Sequence, residues 1–585
     1  MLLDGVAETL ADSLGASVDQ IKTILILVGS VPLSLVFPYL PPSTRSSVVH
    51  LYSILPSILF LCFILDLRWG FLELVGDAVA TWVICKVGVA QKWGRAMPWA
   101  VFTVVMGHLA YNHIRVFLRD VPSTTIDIGG SHMVMVMKLI SFAWSVYDGQ
   151  RPEAELDATQ KATKLDSVPG LLPFLGFALY FPSIMAGPSY TYRAYESFTS
   201  HRLYVKEQGS TSSGKADPTV IPPGRKRKCL KRFITGIVFL GIFSVYSGQL
   251  GMEKLLDKEF VASKTFWQRF LHMNIAGFIA RTKYYAVWCI AESAYIIAGF
   301  GYNPQTKHYD ASRNVRIRSI ELAPNFKVLL DSWNMNTNVW LRECIYKRVA
   351  KKGRKPGFKS TQITFITSAL WHGVNPCYLM TFVLGGFCQA LNRSLRAGLR
   401  PFFLPPGALS NPSPAAAPST TAGDVKVKAV AADGKVAAPK VKVAAPPQTA
   451  LKTLYDIVGT LSTLVVLNFA VVPFLLLDTK ASLAAWSTVH YYGLWLVFVP
   501  FLALNMGGGL RFLKGLQKQR DAKASRKLTK QEQEQERGRV EYEQQQEEKR
   551  RRRGEGVPSM GMDVERMMEE EEKEEKGGLR AKKEL

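Results

Sequence analysis

Apolar residues fill long blocks along the chain and seldom alternate with polar residues over short periods. A helix needs about 20 mostly apolar residues to cross the hydrocarbon layer of a membrane. Blocks that approach this length begin near Ile24, Leu51, Leu72, Met97, Met133, Leu171, Phe233, Phe270, Tyr284, Ile363, Tyr378, Leu454 and Ala484. Some are too short, or too interrupted by glycine and proline, to span alone. The pattern predicts an all-α polytopic membrane protein with roughly ten or eleven transmembrane helices plus re-entrant or interfacial helices.

Two segments lack the large apolar residues that packed structure requires. Residues 405–449 are rich in Pro, Ala, Lys and Val, so they cannot bury enough surface to offset the entropy of ordering them. We expect a disordered cytosolic insert there. Residues 505–585 form a charged tail with no broad apolar stripe, which we expect to be largely disordered with a helical middle. Residues 1–504, with the insert, then form one multi-spanning domain.

The formal net charge of +25 would favour a nucleic-acid partner in a soluble protein. Here the basic residues concentrate between the apolar blocks, at residues 225–232 and 342–359, in the insert and in the tail. Because cytosolic loops of membrane proteins are enriched in Lys and Arg, these segments are expected to face the cytosol. Membrane lipids, and no nucleic acid, are the expected surroundings. Residues 1–20 carry acids and no basic region, which favours an uncleaved anchor over a signal peptide.

The last four residues run Lys582-Lys583-Glu584-Leu585. They resemble the dilysine signal that returns membrane proteins to the endoplasmic reticulum. The resemblance implies a multi-pass protein of that membrane with a cytosolic C-terminus, recognised there by a coat protein. A luminal retention signal would need the opposite orientation of the tail.

One histidine stands out among nine, because His372 lies in Trp371-His372-Gly373 between two apolar runs. An imidazole at membrane depth costs free energy unless it has a partner or faces a wet cavity. It therefore indicates a functional site, and the alternative is a packed, hydrogen-bonded structural histidine. Gly373 either ends a helix or lets a substrate approach the ring. His108 and His113 follow another span, where a structural role is favoured over lining the same cavity.

A second unusual segment covers residues 331–348, where tryptophan and asparagine residues precede a basic end. Helical spacing places Trp333, Trp340 and Cys344 near one face. It places Asn338 and Arg342 side by side, four residues apart. The segment by itself predicts an amphipathic helix at the membrane surface with aromatic anchors. The seven cysteines are scattered and form no metal-binding spacing, so we expect neither disulfides nor a metal.

Four segments carry a family resemblance: residues 138–149, 181–188, 332–341 and 368–373. In this order and spacing they resemble the membrane-bound O-acyltransferase family, specifically its lysophospholipid acyltransferases of the broad-specificity fungal type. The resemblance extends over about residues 51–504 without the insert. Family members commonly carry asparagine where this chain has Ser145. A structural helix break is favoured over substrate contact at Gly187-Pro188.

The resemblance implies transfer of a fatty acyl chain from acyl-CoA to the hydroxyl of a lysophospholipid, with no cofactor, inside an internal catalytic cavity. It places His372 and Asn334 at the two active-site positions. A neutral imidazole, with its ordinary pKa of about 6.5, can take the proton of the attacking hydroxyl. The Asn334 amide can donate a hydrogen bond to the carbonyl oxygen or orient the acceptor hydroxyl. The expected substrate-binding residues are Trp333, Asn338, Trp340, Arg342, Trp371, Gly373, Tyr147 and Asp148.

Coenzyme A is anionic, so its phosphates are expected at a basic cytosolic mouth. The candidates are Arg342, Lys347, Arg348, Lys351 and Lys352, each of which also fits an ordinary cytosolic charge. Lys138 and Asp148 are charges that we expect on the cavity wall or in an ion pair.

Other functions are also compatible with the sequence. The same fold acting on a sterol, a diacylglycerol or a peptide is the nearest alternative, and a lipid transporter or scramblase is a more distant one. No duplicated half is visible, and no histidine is followed by the soluble glycerolipid acyltransferase signature. A Gly-x-Ser-x-Gly nucleophile elbow is also absent. Headgroup, acyl-chain and sn-position preference have no legible linear pattern.

Overall fold

The computed structural model describes residues 3–14, 16–119, 125–204, 221–350, 357–405 and 449–552. The chain divides into two compact units. The first consists of Met1–Leu404 with Pro412–Leu510, and the second of Pro405–Asn411 with Arg511–Leu585. The described residues are overwhelmingly helical, which confirms the helical fold class.

The helices of the first half are α1 Asp4–Leu14, α2 Val18–Ser34, α3 Val48–Ile58, α4 Arg68–Ala90, α5 Ala96–Leu118, α6 Gly129–Gly149, α7 Ala158–Thr163, α8 Leu171–Ala178, α9 Phe181–Ile184, α10 Tyr192–Thr199, α11 Arg225–Tyr246, α12 Lys258–Ser263 and α13 Phe266–Ala298. Short 3-10 turns lie at Phe37–Tyr39, Glu153–Glu155, Arg202–Tyr204 and Met252–Leu256, and a π-helical turn lies at Leu59–Ile64.

A small antiparallel pair, β1 Tyr302–Asn303 and β2 His308–Tyr309, follows α13, with Tyr302 opposite Tyr309. The later helices are α14 Ile317–Glu321, α15 Phe326–Leu330, α16 Met335–Trp340, α17 Phe358–His372, α18 Pro376–Gly398, α19 Ala450–Ala470, α20 Val472–Leu476, α21 Thr479–Ser487, α22 Tyr492–Asn505 and α23 Gly509–Arg552. A second π-helical turn, Leu341–Tyr346, continues α16, and a 3-10 turn covers Arg400–Phe403.

Among the residues that the structure describes, three helical stretches are long and apolar enough to cross a membrane by length and composition: Val18–Tyr39, Arg225–Tyr246 and Ala450–Leu476. The pair α21 and α22 meets the same criterion together, but it bends by 85° at its break. A helical membrane protein is therefore confirmed. The expected total of roughly ten or eleven spans goes beyond what these helices establish, and it stays a prediction.

Other long helices carry polar residues inside the molecule, which lowers their apolar character. α6 buries His132, Lys138 and Asp148, and α13 buries Arg281 and Glu292. α13 also joins the two apolar blocks that begin near Phe270 and Tyr284 into one helix of 33 residues, about 50 Å long. A Thr265 capping box starts it and left-handed Gly299 ends it, with no proline between them.

Close approach of α11 to α13 depends on Gly236. A β-carbon at this position would lie 2.6 Å from Ile290 Cγ1 and 3.1 Å from the Ala286 carbonyl oxygen. The largest core cluster lies mainly among α3, α4, α5, α6, α8, α9 and α10, and it includes Tyr295 and Ala298 at the end of α13. α6 lies against α16 at the edge of this core, where the Thr337 hydroxyl is 3.2 Å from Met137 Sδ.

The second unit contains most of α23, a single helix that runs to Arg552. The expectation of a charged, largely disordered tail with a helical middle stays a prediction. Arg539 forms ion pairs with Glu536 and Glu543, and Arg552 with Glu548, all at helical spacing. The expectations for residues 406–448 and 553–585, which include most of the insert and the dilysine-like end, lie outside the described residues.

Candidate active site

Asn334 stands immediately before α16 in a left-handed conformation, with φ +42° and ψ +56°. Asparagine tolerates this region better than most residues with a side chain. Its amide oxygen accepts hydrogen bonds from Asn314 Nδ2 at 3.1 Å and from the Thr337 hydroxyl at 2.8 Å. Within the described part of the chain, its Nδ2 group has no hydrogen-bond partner. The half-buried amide therefore keeps its donor available.

His372 is the last residue of α17, and four aromatic rings enclose its imidazole. The ring centroids of Trp371, Phe382, Phe474 and Tyr378 lie 4.6, 5.0, 5.0 and 5.9 Å away. Neither ring nitrogen hydrogen-bonds to any residue that the structure describes, and the side chain is only half-buried. A fully buried structural histidine is usually hydrogen-bonded within the protein, whereas these partly accessible nitrogens are open to a bound ligand. The geometry thus favours an imidazole whose nitrogens are kept for a ligand.

Gly373 ends α17 and lies against one of these rings. A β-carbon at this position would come within 2.5 Å of Tyr378 Cε2 and 3.0 Å of Tyr378 Cδ2. The tight fit explains why a glycine follows His372. It lets the Tyr378 ring lie nearly parallel to the imidazole, at an interplanar angle of 25°.

Gly373→Ala is therefore expected to push Tyr378 away from His372 and to lower acyl transfer by roughly 10- to 100-fold, since small displacements at a reacting centre have effects of this size. Initial rates in membranes containing equal amounts of protein measure the effect. Gly241→Ala in α11 is the matched control, because its β-carbon would meet open space. Equal rates for Gly373→Ala and the control would contradict this role of the glycine.

Tryptophan contacts connect the end of α17 with the helix that begins after Asn334. The Trp340 and Trp371 rings are 5.9 Å apart, and Trp371 Nε1 donates to the Met133 carbonyl of α6 at 2.9 Å. On the other side, His113 Nε2 lies 3.2 Å from the Trp371 carbonyl oxygen, to which a protonated nitrogen donates. This contact therefore favours a structural role for His113. α5, α6 and α16 together hold the residue that precedes His372.

Other expected substrate-binding residues have partners within the protein. Trp333 packs against Tyr284, Tyr285 and Trp288 at centroid distances of 5.6, 6.0 and 5.0 Å. Asn338 donates its amide to the Leu330 carbonyl at 2.9 Å.

Two further expected residues lie beside charged neighbours. Arg342 pairs with adjacent Glu343 and is about half exposed. Tyr147 packs on Trp144 and lies under the Arg151 guanidinium. Substrate contact by Trp333, Asn338, Arg342 and Tyr147 stays a prediction.

Asp148 lies in a buried ion pair with Arg348. The guanidinium donates to both carboxylate oxygens, at 2.9 and 2.5 Å, and its centre is 4.2 Å from the centroid of the Trp144 ring. Two parallel bonds of this kind are the geometry that arginine favours with a carboxylate. Arg348 is thus committed to Asp148 and is not free for a phosphate group.

The remaining basic candidates for the coenzyme A mouth are lysines. Lys347 pairs with Glu343 at 2.6 Å and with Asp157 at 2.7 Å. Lys351 and Lys352 lie outside the described residues.

Lys138 is fully buried but has no carboxylate partner in the described structure. Its ammonium donates to Ser183 Oγ at 2.6 Å, to the Ala178 carbonyl at 3.0 Å and to the Tyr190 hydroxyl at 3.2 Å. The Ala178 carbonyl belongs to the C-terminal end of α8, where the helix dipole favours a cation. The expected ion pair is therefore wrong for this lysine, which caps the C-terminal end of α8, and a position on the cavity wall stays a prediction.

A buried polar network joins α4, α5 and α6. Asp77 lies 2.8 Å from His108 Nδ1 and 2.6 Å from His132 Nε2, and these three side chains are grouped closely enough to suggest a metal site. Asn112 Nδ2 donates to Glu73 at 2.9 Å and lies 3.1 Å from His132 Nδ1. His132 Nδ1 therefore accepts a hydrogen bond from Asn112, and His132 Nε2 carries the proton and donates a hydrogen bond to Asp77.

The spacing of this network also fits hydrogen bonds better than metal ligation. Atoms that share a Zn²⁺ ion would stand roughly 3.3 Å apart, given bond lengths of about 2.0–2.1 Å. We therefore interpret Asp77, His108 and His132 as a hydrogen-bonded connection between helices.

Sequence reasoning missed several residues that touch the site. Asn314 belongs to no recognised motif and precedes Asn334 in an irregular segment. Phe382 and Phe474 are ordinary apolar residues of α18 and α20, and the insert separates the two in sequence. No local pattern distinguishes them from core or lipid-facing aromatics, so only their contact with His372 reveals their role.

Comparison with known proteins identifies the class. The profile of the membrane-bound O-acyltransferase family matches residues 113–417. A lysophospholipid acyltransferase of Schizosaccharomyces pombe is 33% identical over 496 residues, covering 84% of this chain and 87% of the relative. Its namesake in Saccharomyces cerevisiae is 32% identical over 507 residues, covering 84% and 74%. Membrane-bound glycerophospholipid O-acyltransferase 2 of Mus musculus is 27% identical over 500 residues, covering 83% and 84%.

The match covers both candidate residues, Asn334 and His372, and the relatives are similar along most of their length. This chain therefore belongs to the membrane-bound O-acyltransferase family. It is an acyltransferase of the membrane.

Proposed function

We propose that this acyltransferase moves a fatty acyl chain from acyl-CoA to the free hydroxyl of a lysophospholipid. The observation that carries the proposal is the environment of His372, an imidazole enclosed by aromatic rings whose nitrogens have no partner among the described residues. Relatives named lysophospholipid acyltransferase support the choice of acceptor.

In the proposed reaction, His372 accepts the proton of the lysophospholipid hydroxyl as its oxygen attacks the thioester carbonyl carbon. The Asn334 amide donates to the carbonyl oxygen while negative charge develops there. The carbon–sulfur bond then breaks, and the imidazolium returns the proton to the departing thiolate. The products are a diacyl phospholipid and coenzyme A, so atoms and protons balance without a cofactor.

The aromatic and glycine residues around this pair form the proposed substrate-binding wall. The Trp340 ring of α16 lies 5.9 Å from the ring of Trp371, the residue before His372, and Gly373 lets the Tyr378 ring pack against the imidazole. In the proposed complex, Trp340, Trp371 and Gly373 contact the lipid substrate.

The proposal includes a topology. Roughly ten or eleven spans, with the basic connecting segments and the tail in the cytosol, would bring cytosolic acyl-CoA to the basic residues after α16. Lys582 and Lys583 near the end of the tail support residence in the endoplasmic reticulum and recognition by a coat protein. To test this orientation, the plasma membrane alone is permeabilised while internal membranes stay intact. An antibody against an epitope at the C-terminus is then expected to bind.

The experiment is a substrate panel in membranes from cells that lack other acyltransferases of this kind. Labelled acyl-CoA is offered with lysophospholipids of different headgroups, with a sterol and with a diacylglycerol. Transfer to at least one lysophospholipid, well above transfer to the sterol and the diacylglycerol, is expected. A preference for a sterol or diacylglycerol would overturn the choice of acceptor but leave the family assignment intact.

A further inference from the structure

Asn314 lies in the segment between β2 and α14, and its side chain is almost fully buried, with 3% exposure. Its amide oxygen accepts from the backbone N–H of Asn336 at 3.1 Å and from Asn336 Nδ2 at 3.1 Å. Its carbonyl oxygen accepts from the backbone N–H of Met335 at 2.9 Å. The first turn of α16 is thus attached to Asn314 through both backbone and side chain.

These bonds determine which way the Asn314 amide faces. A backbone N–H only donates, so the atom that meets the N–H of Asn336 must be the amide oxygen of Asn314. The amide nitrogen is then the atom turned toward Asn334, at 3.1 Å from its side-chain oxygen. The orientation follows from hydrogen-bond chemistry alone, without relying on a distinction between similar atoms.

The same reasoning determines the orientation of the Asn334 amide. Because Asn314 Nδ2 donates, the Asn334 atom that it meets must be the acceptor Oδ1. The Thr337 hydroxyl lies 2.8 Å from the same oxygen. With its oxygen occupied by two donors, Asn334 holds its nitrogen away from them. A flipped amide would set nitrogen against nitrogen at Asn314.

We infer that Asn314 is a positioning residue that orients the Asn334 amide so that its nitrogen, and not its oxygen, is presented to the reacting carbonyl. The inference rests on the proposed function of Asn334. In the opposite orientation, the Asn334 oxygen would face the developing negative charge and repel it, so the direction of the amide decides whether Asn334 assists the reaction.

Asn314→Asp tests this role with almost no change of shape. The carboxylate still accepts from Asn336, but it offers no donor to Asn334 Oδ1, so the Asn334 amide turns its nitrogen toward Asp and away from the substrate. We expect kcat to fall by about 10- to 100-fold, with KM for acyl-CoA changed by less than about twofold, because a transition-state interaction is lost.

The pH dependence separates orientation from general damage. A protonated aspartic acid presents one acceptor and one donor, as asparagine does. The ratio of the Asn314→Asp rate to the wild-type rate is therefore expected to rise as the pH is lowered. A purely structural defect would leave this ratio flat.

Asn325→Asp is the matched control. Asn325 caps α15 by accepting from the Val328 N–H at 3.1 Å, and aspartate caps equally well. This variant is expected to retain the wild-type rate. Wild-type kcat for Asn314→Asp across the pH range would overturn the inference. If Asn334→Ala also kept its activity in the same membranes, the proposed function of Asn334 would fail first.

A second variant covers the case in which Asn314→Asp does not accumulate. Thr337→Val removes the other donor to the Asn334 oxygen with a side chain of similar shape. A several-fold lower kcat at unchanged KM is expected, because the amide orientation is then held by one donor instead of two. An unchanged kcat for Thr337→Val would overturn the inference in that case.

Discussion

His372→Ala is expected to lower acyl transfer by at least about 10²-fold, because the reaction loses the base that accepts the hydroxyl proton. Folding should suffer less, since the imidazole makes no hydrogen bond to a described residue and contributes mainly ring packing. Initial rates with labelled acyl-CoA and the preferred lysophospholipid, normalised to the amount of protein in the membrane, measure the loss. The decrease should appear in kcat, because the imidazole acts after both substrates are bound.

His308→Ala is the control for this experiment, because His308 is an exposed residue of β2 and has no place in the proposed chemistry. His372→Gln keeps a polar side chain of similar size that cannot act as a base near neutral pH, and it should be as inactive as His372→Ala. Full activity of a well-accumulated His372→Gln protein would exclude general-base catalysis by this residue.

Asn334→Asp is expected to lower kcat by about 10²- to 10³-fold, the range associated with one lost donor to a developing oxyanion. An aspartate accepts the bonds from Asn314 and Thr337 as asparagine does, so the local structure should persist. It has no donor for the substrate carbonyl, and its negative charge opposes the charge that develops there. KM for acyl-CoA should change little.

Asn334→Gly separates the effect of the side-chain amide on activity from the effect of the backbone conformation. Glycine adopts the left-handed conformation of this position without strain, whereas alanine there costs roughly 1–2 kcal/mol. Asn334→Gly and Asn334→Asp should therefore both be folded and both be impaired, while Asn334→Ala adds a loss of stability. An active Asn334→Gly protein would show that the residue is needed for its backbone conformation, and not for its amide.

The helical membrane class and the family could be predicted from the sequence, while the roles of Asn334 and His372 stay predictions. Long apolar blocks are a one-dimensional signal, because a helix satisfies its own backbone whatever surrounds it. The single helix α13 shows the limit of that signal. Arg281 and Lys283 interrupt the apolar pattern just before Tyr284, so the sequence indicated two blocks where one helix exists. Arg281 pairs with Glu321, a partner far away in the chain.

The basic residues after α16 show the same limit for the site. By charge alone, Arg342, Lys347 and Arg348 were equally good candidates for binding phosphate. The folded chain distinguishes them, because the Arg348 guanidinium donates two hydrogen bonds to Asp148 on α6, whereas Arg342 is about half exposed. Ion pairs between distant segments leave no trace in local composition, so no reading of residues 342–359 could have made this distinction.

The sequence by itself determined that this protein is helical, embedded in a membrane and equipped with a histidine and an asparagine in the motifs of an acyltransferase. Those features depend on composition and on residues close together in the chain. Only the tertiary structure decided that Phe474 of α20 closes the ring enclosure of His372 and that Asn314 turns the amide of Asn334. The reason is physical: packing and hydrogen-bond direction depend on which atoms meet across helices, and that is settled only when the chain has folded.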